Sequence, residues 1–166
     1  MSNLERKLLG LAGGIALLTL GTAQAVTVTD TMLVDITVLE VCTMTVTSDV
    51  NFGNVTPGVS GDVQADGEIE YACSSTTVAD IEIDDGGTRA MAGGATTIAY
   101  TLGQDNYLGS GGSTWGLIAA GEALGIVGAG VSAPVQLPVY GEVLAAAYAD
   151  ADTVLHTQTV TVNLVY

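Results

Sequence analysis

Few residues in this 166-residue chain are of types that commonly do chemistry: it has two cysteines, one histidine and three basic residues. Cys42 and Cys73 could form a disulfide, or they could be two free thiols in a redox or metal site. The sequence has no CxxC pair, and His156 is the sole histidine, which makes zinc ligation improbable. In an exported chain an even count favours the disulfide, whose loop of about 30 residues would stabilise the fold by roughly 3–4 kcal/mol.

The patterns for catalysis and calcium binding are also weak. A hydrolase triad needs a positioned base, and His156 lies in the polar approach to the last predicted strand, where we expect a solvated loop histidine. The run Asp80–Gly87, "DIEIDDGG", looks briefly like the start of a calcium loop. Counted from Asp80, position 6 is Asp85 and position 12 is Met91, where such a loop needs Gly and Glu. The run therefore indicates a strand, with a weak calcium site at "DDGG" left open. We expect no enzyme, no cofactor and no metal.

The N-terminus has the pattern of a signal peptide. Arg6 and Lys7 precede an apolar stretch at 8–20, and "AQA" at 23–25 provides small residues for cleavage. The alternative is a membrane-anchoring helix, but 13 apolar residues fall short of the about 20 that span a bilayer. We predict that residues 1–25 are removed and that the mature chain, exported from a bacterial cytoplasm, begins at Val26.

The mature chain is strongly acidic. Of the 18 acidic residues, Glu5 lies in the predicted signal peptide, which leaves 17 against Arg89, a formal charge of 1 minus 17, or −16. Such a surface repels nucleic acid and anionic lipid, so neither is expected as a partner. We expect Arg89 to pair with an acid of its own domain, such as Asp84 or Asp85; a pair across a subunit contact is the alternative.

Abundant Thr, Val and Gly, with the charged helix formers Lys, Arg and Glu sparse, indicate short strands joined by many turns. About seven strands with frequent turns suggest an antiparallel sandwich in a single domain. Pro134 and Pro138 favour a sheet edge, and 144–152 is where a helical turn could form. The predicted strands are 26–41, 49–53, 67–73, 77–84, 96–103, 133–144 and 157–166.

Two of these strands alternate most clearly. In "VTVTDTMLVDITVLEV", residues 26–41, the even positions from Val26 to Val38 are apolar except for Asp30, which could lie outside a binding groove or in a bulge. Sixteen residues exceed most strands, so we divide the run into an extension at 26–36 and the domain's own first strand at about 33–41. In the final strand one face carries four apolar side chains, and such a strand needs partners; they are Val160, Val162, Leu164 and Tyr166.

The order of the motifs resembles the spore coat protein U domain family, the subunits of archaic chaperone–usher pili. The resemblance covers the whole mature chain, and the order of its motifs is more specific than any one of them. The matching stretches are "VLEVCTMTV", "NFG" at 51–53, "EYAC" with Cys73, "TRAM" with Arg89, "IAYTL", "WG" at 115–116, "PVYGEV", "YAD" and the closing "VTVNLVY".

The resemblance implies an all-β, immunoglobulin-like antiparallel sandwich at 33–166 that lacks its final strand. A periplasmic chaperone would lend the missing strand first, and the extension of the next subunit would then replace it by donor-strand exchange at an outer-membrane usher. The product would be a head-to-tail pilus on the cell surface, serving adhesion or biofilm formation. The donor residues would be Val26, Val28, Met32 and Val34, and the acceptor groove would be bordered by Val160, Val162, Leu164 and Tyr166.

Two other classes of function stay open at this stage. One is an exported monomer that binds carbohydrate or surface ligands through Trp115 in the glycine-rich loop 109–116, although a buried tryptophan is the favoured interpretation. The other is a non-filamentous coat or surface-layer protein that uses the same strand exchange.

Overall fold

A computed structural model describes residues 26–166, so the predicted signal peptide lies outside the described residues. The chain divides into two units, one ending at Thr37 and the other spanning Val38–Tyr166. Residues 26–37, the described part of the first unit, contain no helix or strand. No helix of the described chain has the length and apolar character needed to cross a membrane.

The described residues of the second unit form nine strands and three short 3₁₀ helices. The 3₁₀ helices span Leu108–Ser110, Ile118–Ala120 and Ala145–Ala147, the last of which confirms the predicted helical turn. The strands are β1 (Cys42–Ser48), β2 (Val63–Cys73), β3 (Val78–Asp84), β4 (Ala90–Gly93), β5 (Thr96–Ala99), β6 (Thr101–Gly103), β7 (Leu124–Val127), β8 (Val135–Val143) and β9 (Thr161–Val165).

These strands make two sheets and a hairpin, with antiparallel pairing throughout. The first sheet has the order β1-β2-β8-β6, the second has the order β7-β3-β9, and β4 pairs with β5. The predicted all-β antiparallel sandwich is therefore confirmed.

The core follows from period-two alternation in the central strands. In β2, Ile69, Tyr71 and Cys73 are buried, and in β3 the buried residues include Ile81 and Ile83. These faces meet across the sandwich in one apolar cluster, because successive side chains of a strand point to opposite sides. The strand interpretation of residues 77–84 is thus confirmed.

Trp115 and Arg89 both belong to this interior framework. The Trp115 side chain is fully buried and its Nε1–H donates to the carbonyl of Ile81 at 3.0 Å, so the exposed sugar-binding tryptophan of the monomeric alternative is wrong. The Arg89 guanidinium forms an ion pair with Asp85 at 2.7 Å and donates to the carbonyls of Leu102 and Trp115. The intradomain ion pair is therefore confirmed.

The prediction that the domain's first strand spans residues 33–41 is wrong. The first strand is β1, which pairs with β2 from Cys42 opposite Cys73 onward. Because β2 ends at Cys73, residues 33–40 have no strand beside them, and alternation alone does not make a strand without a partner. The predicted strand at 49–53 is also absent, since Asn51 Oδ1 accepts from the Gly53 N–H in a local turn.

Two other strands differ from the sequence-based expectation. The predicted strand at 96–103 divides at Tyr100, because β5 pairs with β4 whereas β6 pairs with β8. The prediction that 133–144 forms a sheet edge is wrong for the strand as a whole, since β8 lies between β2 and β6. Residues 135–139 nevertheless have β2 on one side only, because β6 reaches just residues 140–142. Pro138 therefore needs no ladder hydrogen bond on its open side.

Candidate functional site: a groove between two unpaired strand edges

The candidate site lies where the two sheets each end in a strand with one unpaired side. In the described chain β1 pairs with β2 alone, and β9 pairs with β3 alone. The outer backbone groups of both strands are therefore available for pairing, which is the usual liability of an edge strand.

The disulfide between Cys42 and Cys73, which the structure confirms, ties one of these edges to the sheet. It joins the first residue of β1 to the last residue of β2. Immediately before it, the Val41 N–H donates to Ser74 Oγ and the Ser74 N–H donates to the Val41 carbonyl, both at 2.8 Å. The start of β1 is therefore held to the domain by a covalent bond and two hydrogen bonds.

A groove of about 470 Å³ separates the two unpaired edges. Its rims are Val46 of β1 and the pair Val160 and Val162 of the β9 segment. The floor consists of core side chains from both sheets, so the groove opens directly onto the hydrophobic interior. These floor residues are Ile69, Ile83, Leu102 and Val139.

Val46 shows that the core is incomplete at this point. By alternation it shares the inward face of β1 with Cys42 and Met44, which pack against the core, and it pairs with the buried Ile69. Its side chain is nevertheless 46% exposed. An inward valine can be this exposed only because no element covers the groove beside it.

A second cleft of about 730 Å³ continues the groove beyond the end of β1 and the start of β9. One wall is formed by residues 49–57, which follow β1, and the other by residues 151–158, which precede β9. The two spaces share six lining residues and are therefore continuous: Asp49, Val50, Phe52, Met91, Thr157 and Gln158. Since β1 runs toward this cleft and β9 runs away from it, the two rims are antiparallel.

Hydrogen bonds hold the wall 151–158 against the β4–β5 hairpin. Thr157 and Ala92 exchange two backbone hydrogen bonds of 2.9 and 3.0 Å. The Gln158 amide accepts from the Ala90 N–H at 3.0 Å and donates to the Asp85 carbonyl at 2.9 Å. The wall is therefore positioned without help from anything in the cleft.

His156 belongs to the same wall. Its Nε2 lies 3.0 Å from the Thr96 hydroxyl and its Nδ1 lies 3.0 Å from the Val154 carbonyl. The histidine lies in a loop, as expected, but it is half-buried and hydrogen-bonded instead of being freely solvated. The Thr96 hydroxyl also accepts from the Asp152 N–H. The ring is positioned by a carbonyl and a hydroxyl and links the wall to β5.

The four predicted groove residues occupy different positions. Val160 and Val162 line the groove, and Leu164 packs against the core outside the groove lining. Tyr166 is 58% exposed and lines neither the groove nor the cleft.

The predicted donor residues lie in a segment with no strand. Eight large apolar side chains between Val26 and Leu39 are each at least 78% exposed. They include all four predicted donors, which are Val26, Val28, Met32 and Val34. The chain thus combines an uncovered apolar groove with an uncovered apolar segment.

Sequence reasoning missed the β1 rim and both walls of the cleft. The signal for the rim was available in the alternation of Cys42, Met44 and Val46, but the stronger alternation upstream drew the strand prediction away from it. The walls carry no periodic pattern. Tertiary hydrogen bonds hold residues 151–158, whereas Val50, Phe52 and Val55 hold the other wall by packing against the core.

The charged side chains that line the groove and the cleft are acidic. Arg89 is the one basic residue after Val26, and its hydrogen bond lowers the pKa of Asp85. Asp49 and Asp152 lie in the cleft lining. No group of three or more His, Cys, Asp or Glu side chains in residues 26–166 is arranged to hold a metal ion.

Together these features define a class: a β-sandwich with two open strand edges flanking an apolar groove. The model of the spore coat protein U domain matches residues 28–163, and the chain belongs to that family. No curated protein matches the sequence.

A similar fold occurs in the crystal structure of the CsuC–CsuE chaperone–tip adhesion subunit pre-assembly complex from the archaic chaperone–usher Csu pili of Acinetobacter baumannii. The two chains superpose with a TM-score of 0.51 at 19% identity, over 78% of this chain and 41% of that chain. This chain therefore covers less than half of the neighbour's length, and the likeness concerns the fold.

Proposed function

We propose that this protein is a structural subunit of an extracellular pilus that is assembled by a chaperone–usher pathway. Residues 26–36 of one copy fill the groove of the next copy as an added strand. The observation that carries the proposal is Val46, an inward core residue that lies open at the edge of a strand-shaped groove. The exposed alternating segment of the same chain supplies the complementary shape.

Burial of apolar side chains and backbone hydrogen bonding oppose the entropic cost of ordering the inserted segment. Each fully buried Val or Met contributes about 1.5–3 kcal/mol, and four donor side chains are exposed before insertion. Ordering the segment costs about 1–2 kcal/mol per residue. The backbone hydrogen bonds to the open edges of β1 and β9 add to the burial and help to offset this cost.

The two ends of the groove favour one orientation of the donor. A donor antiparallel to β9 leaves the groove at the cleft, whereas a donor parallel to β9 leaves it at the end where Cys42 lies. The acceptor's own extension departs from that Cys42 end, so a second domain there would compete for the same space. We infer the antiparallel orientation, in which the donor and acceptor surfaces differ and the chain of subunits stays open.

In this pathway residues 1–25 direct export and the open groove passes through the periplasm occupied by a strand of a chaperone. The usher then exchanges that strand for the donor of the incoming subunit, and the fibre is displayed on the cell surface. Adhesion or biofilm formation is the role we propose for the fibre. The matching family model and the pilus-subunit fold of the structural neighbour support these steps.

The decisive experiment uses two variants that damage opposite ends of the contact. Val46→Asp introduces a carboxylate into the groove, and Val28→Asp introduces one into the donor. Each variant is co-expressed with the chaperone and usher, alone and with the other variant, and surface extracts are run in SDS with and without boiling. Val131→Asp is the matched control, because Val131 is also partly exposed but lines neither the groove nor the cleft.

Wild type and Val131→Asp should give a ladder of multimers that collapses on boiling. Each groove or donor variant alone should give monomer, and the two together should give a dimer and nothing larger, because one intact donor then meets one intact groove. A soluble wild-type monomer in both lanes would refute the pilus subunit. A mixture that restores no dimer would refute the head-to-tail contact.

A further inference from the structure

We infer that the 730 Å³ cleft is a second subunit-binding site, and that it receives Val38 and Leu39 of the neighbouring copy. This inference rests on the proposed function, because the same neighbour supplies the donor to the groove. It extends the contact beyond the donor residues 26–36 to the residues that join the donor to its own domain.

The first argument is one of length. The unpaired edge of β1 has seven residues and that of β9 has five, about 15–25 Å of strand. The exposed apolar segment spans 14 residues from Val26 to Leu39, or about 45 Å when extended. A donor in the groove therefore continues past the rims, and the continuous space beyond them is the cleft.

The second argument is that Val38 and Leu39 place apolar side chains on both faces of the chain close to its own domain. Before them the apolar side chains keep to even positions apart from Leu33, which suits a strand with one buried face. Val38 and Leu39 are consecutive and both exposed, so at this point the chain offers an apolar group on each face. Each wall of the cleft carries a hydrophobic side chain, Val55 on one side and Leu155 on the other, among polar residues such as Asp49 and Asp152.

The third argument identifies the occupant as a second copy. Val41 is hydrogen-bonded to Ser74 beside the start of β1, and the cleft begins only after Ser48, about 20 Å along the strand. Leu39 is two residues from Val41, a reach of about 7 Å. A chain's own Leu39 therefore cannot enter its own cleft, whereas a donor antiparallel to β9 brings the neighbour's Leu39 to it.

The test is site-directed cross-linking of purified polymer. Leu39→Cys is combined with Leu155→Cys, and mild oxidation should convert the ladder into one that survives boiling and collapses only with reductant. Leu39→Cys combined with Val59→Cys is the matched control, because Val59 is as exposed as Leu155 but lines neither the cleft nor the groove. The control ladder should still collapse on boiling.

A second measurement uses Leu39→Ser and Leu155→Ser, singly and together. Each should leave the unboiled ladder in place but speed its dissociation in SDS about 10-fold or more, as expected for a leucine contact. The double variant should dissociate no faster than the more affected single variant, because the two changes remove one contact.

The outcomes separate the two proposals. An unboiled ladder with no boiling-resistant cross-link and no faster dissociation would overturn the second site and leave the pilus subunit standing. A cross-link confined to monomers would overturn the assignment to a second copy. A wild type without any ladder would overturn the proposed function itself.

Discussion

Strand addition can be tested by comparing odd-numbered with even-numbered residues of the donor segment, because they face opposite sides of an added strand. Val34 and Leu33 are adjacent and almost equally exposed, at 82% and 85%, so truncating either one leaves the folded subunit nearly unchanged. In an added strand only one parity faces the groove, and even parity carries the apolar donors. We expect Val34→Ala to weaken the polymer and Leu33→Ala to change it little, although leucine loses more atoms.

The magnitude follows from the atoms removed. Val34→Ala deletes two methyl-sized groups at about 0.8 kcal/mol each, and the resulting ~1.6 kcal/mol corresponds to roughly 15-fold in dissociation. Leu33→Ala, at a solvent-facing position of the bound donor, should remain within about 0.5 kcal/mol.

The assay is the rate at which the unboiled ladder collapses in SDS at fixed temperatures, with circular dichroism to verify that the subunits remain folded. Equal effects at Val34 and Leu33 would refute a period-two strand in the groove. A larger effect at Leu33 would assign the opposite parity, and no effect at either residue would remove this part of the segment from the contact.

Four further outcomes are expected. Replacing Cys42 and Cys73 by alanine should lower the free energy of unfolding in denaturant by about 3–4 kcal/mol and reduce assembly, because β1 loses its covalent tie to β2. The lowered pKa of Asp85 means that its ion pair with Arg89 stabilises the fold above the ordinary value of 3.8 and is lost as the pH falls below it, so Asp85→Asn should flatten the acid side of the stability curve. Trp115→Phe should cost about 1–3 kcal/mol in thermal or chemical unfolding, because a buried carbonyl of β3 loses its donor. Added salt should speed polymer growth measured by light scattering, since like-charged subunits repel each other at low ionic strength.

The central strands could be predicted from the sequence because burial and alternation coincide there. The large buried side chains of β2 and β3 lie at odd positions and meet in the core, so alternation in the sequence predicts both strands. The first strand was placed several residues too early, because the most regular alternation of the chain lies upstream of Cys42, where the described chain provides no partner strand. Alternation indicates that a segment suits a strand with one buried and one exposed face, but it does not indicate which chain provides the neighbouring strand.

The groove could be predicted only in part for the same physical reason. Val160 and Val162 were identified by their alternation, and both line the groove. The opposite rim at Val46 depends on which strand pairs with β2, and the walls of the cleft depend on contacts between residues 60 or more apart, such as Thr157 with Ala92 and Gln158 with Ala90. Such long-range pairings leave no local pattern in the sequence.

The two open edges of the described domain are held in place by contacts within the domain itself, with no strand between them. β1 is fixed by the disulfide of Cys42 with Cys73, and the segment before β9 is fixed by Thr157 and Gln158 to β4 and its neighbouring turn. None of these bonds involves a donor strand, so under the proposed function the groove is formed before insertion. The ordering entropy of binding then falls mainly on the inserted segment. The affinity of one subunit for the next should therefore depend more on the composition of residues 26–39 than on the groove. Substitutions in that segment are then expected to determine which subunit binds beside which.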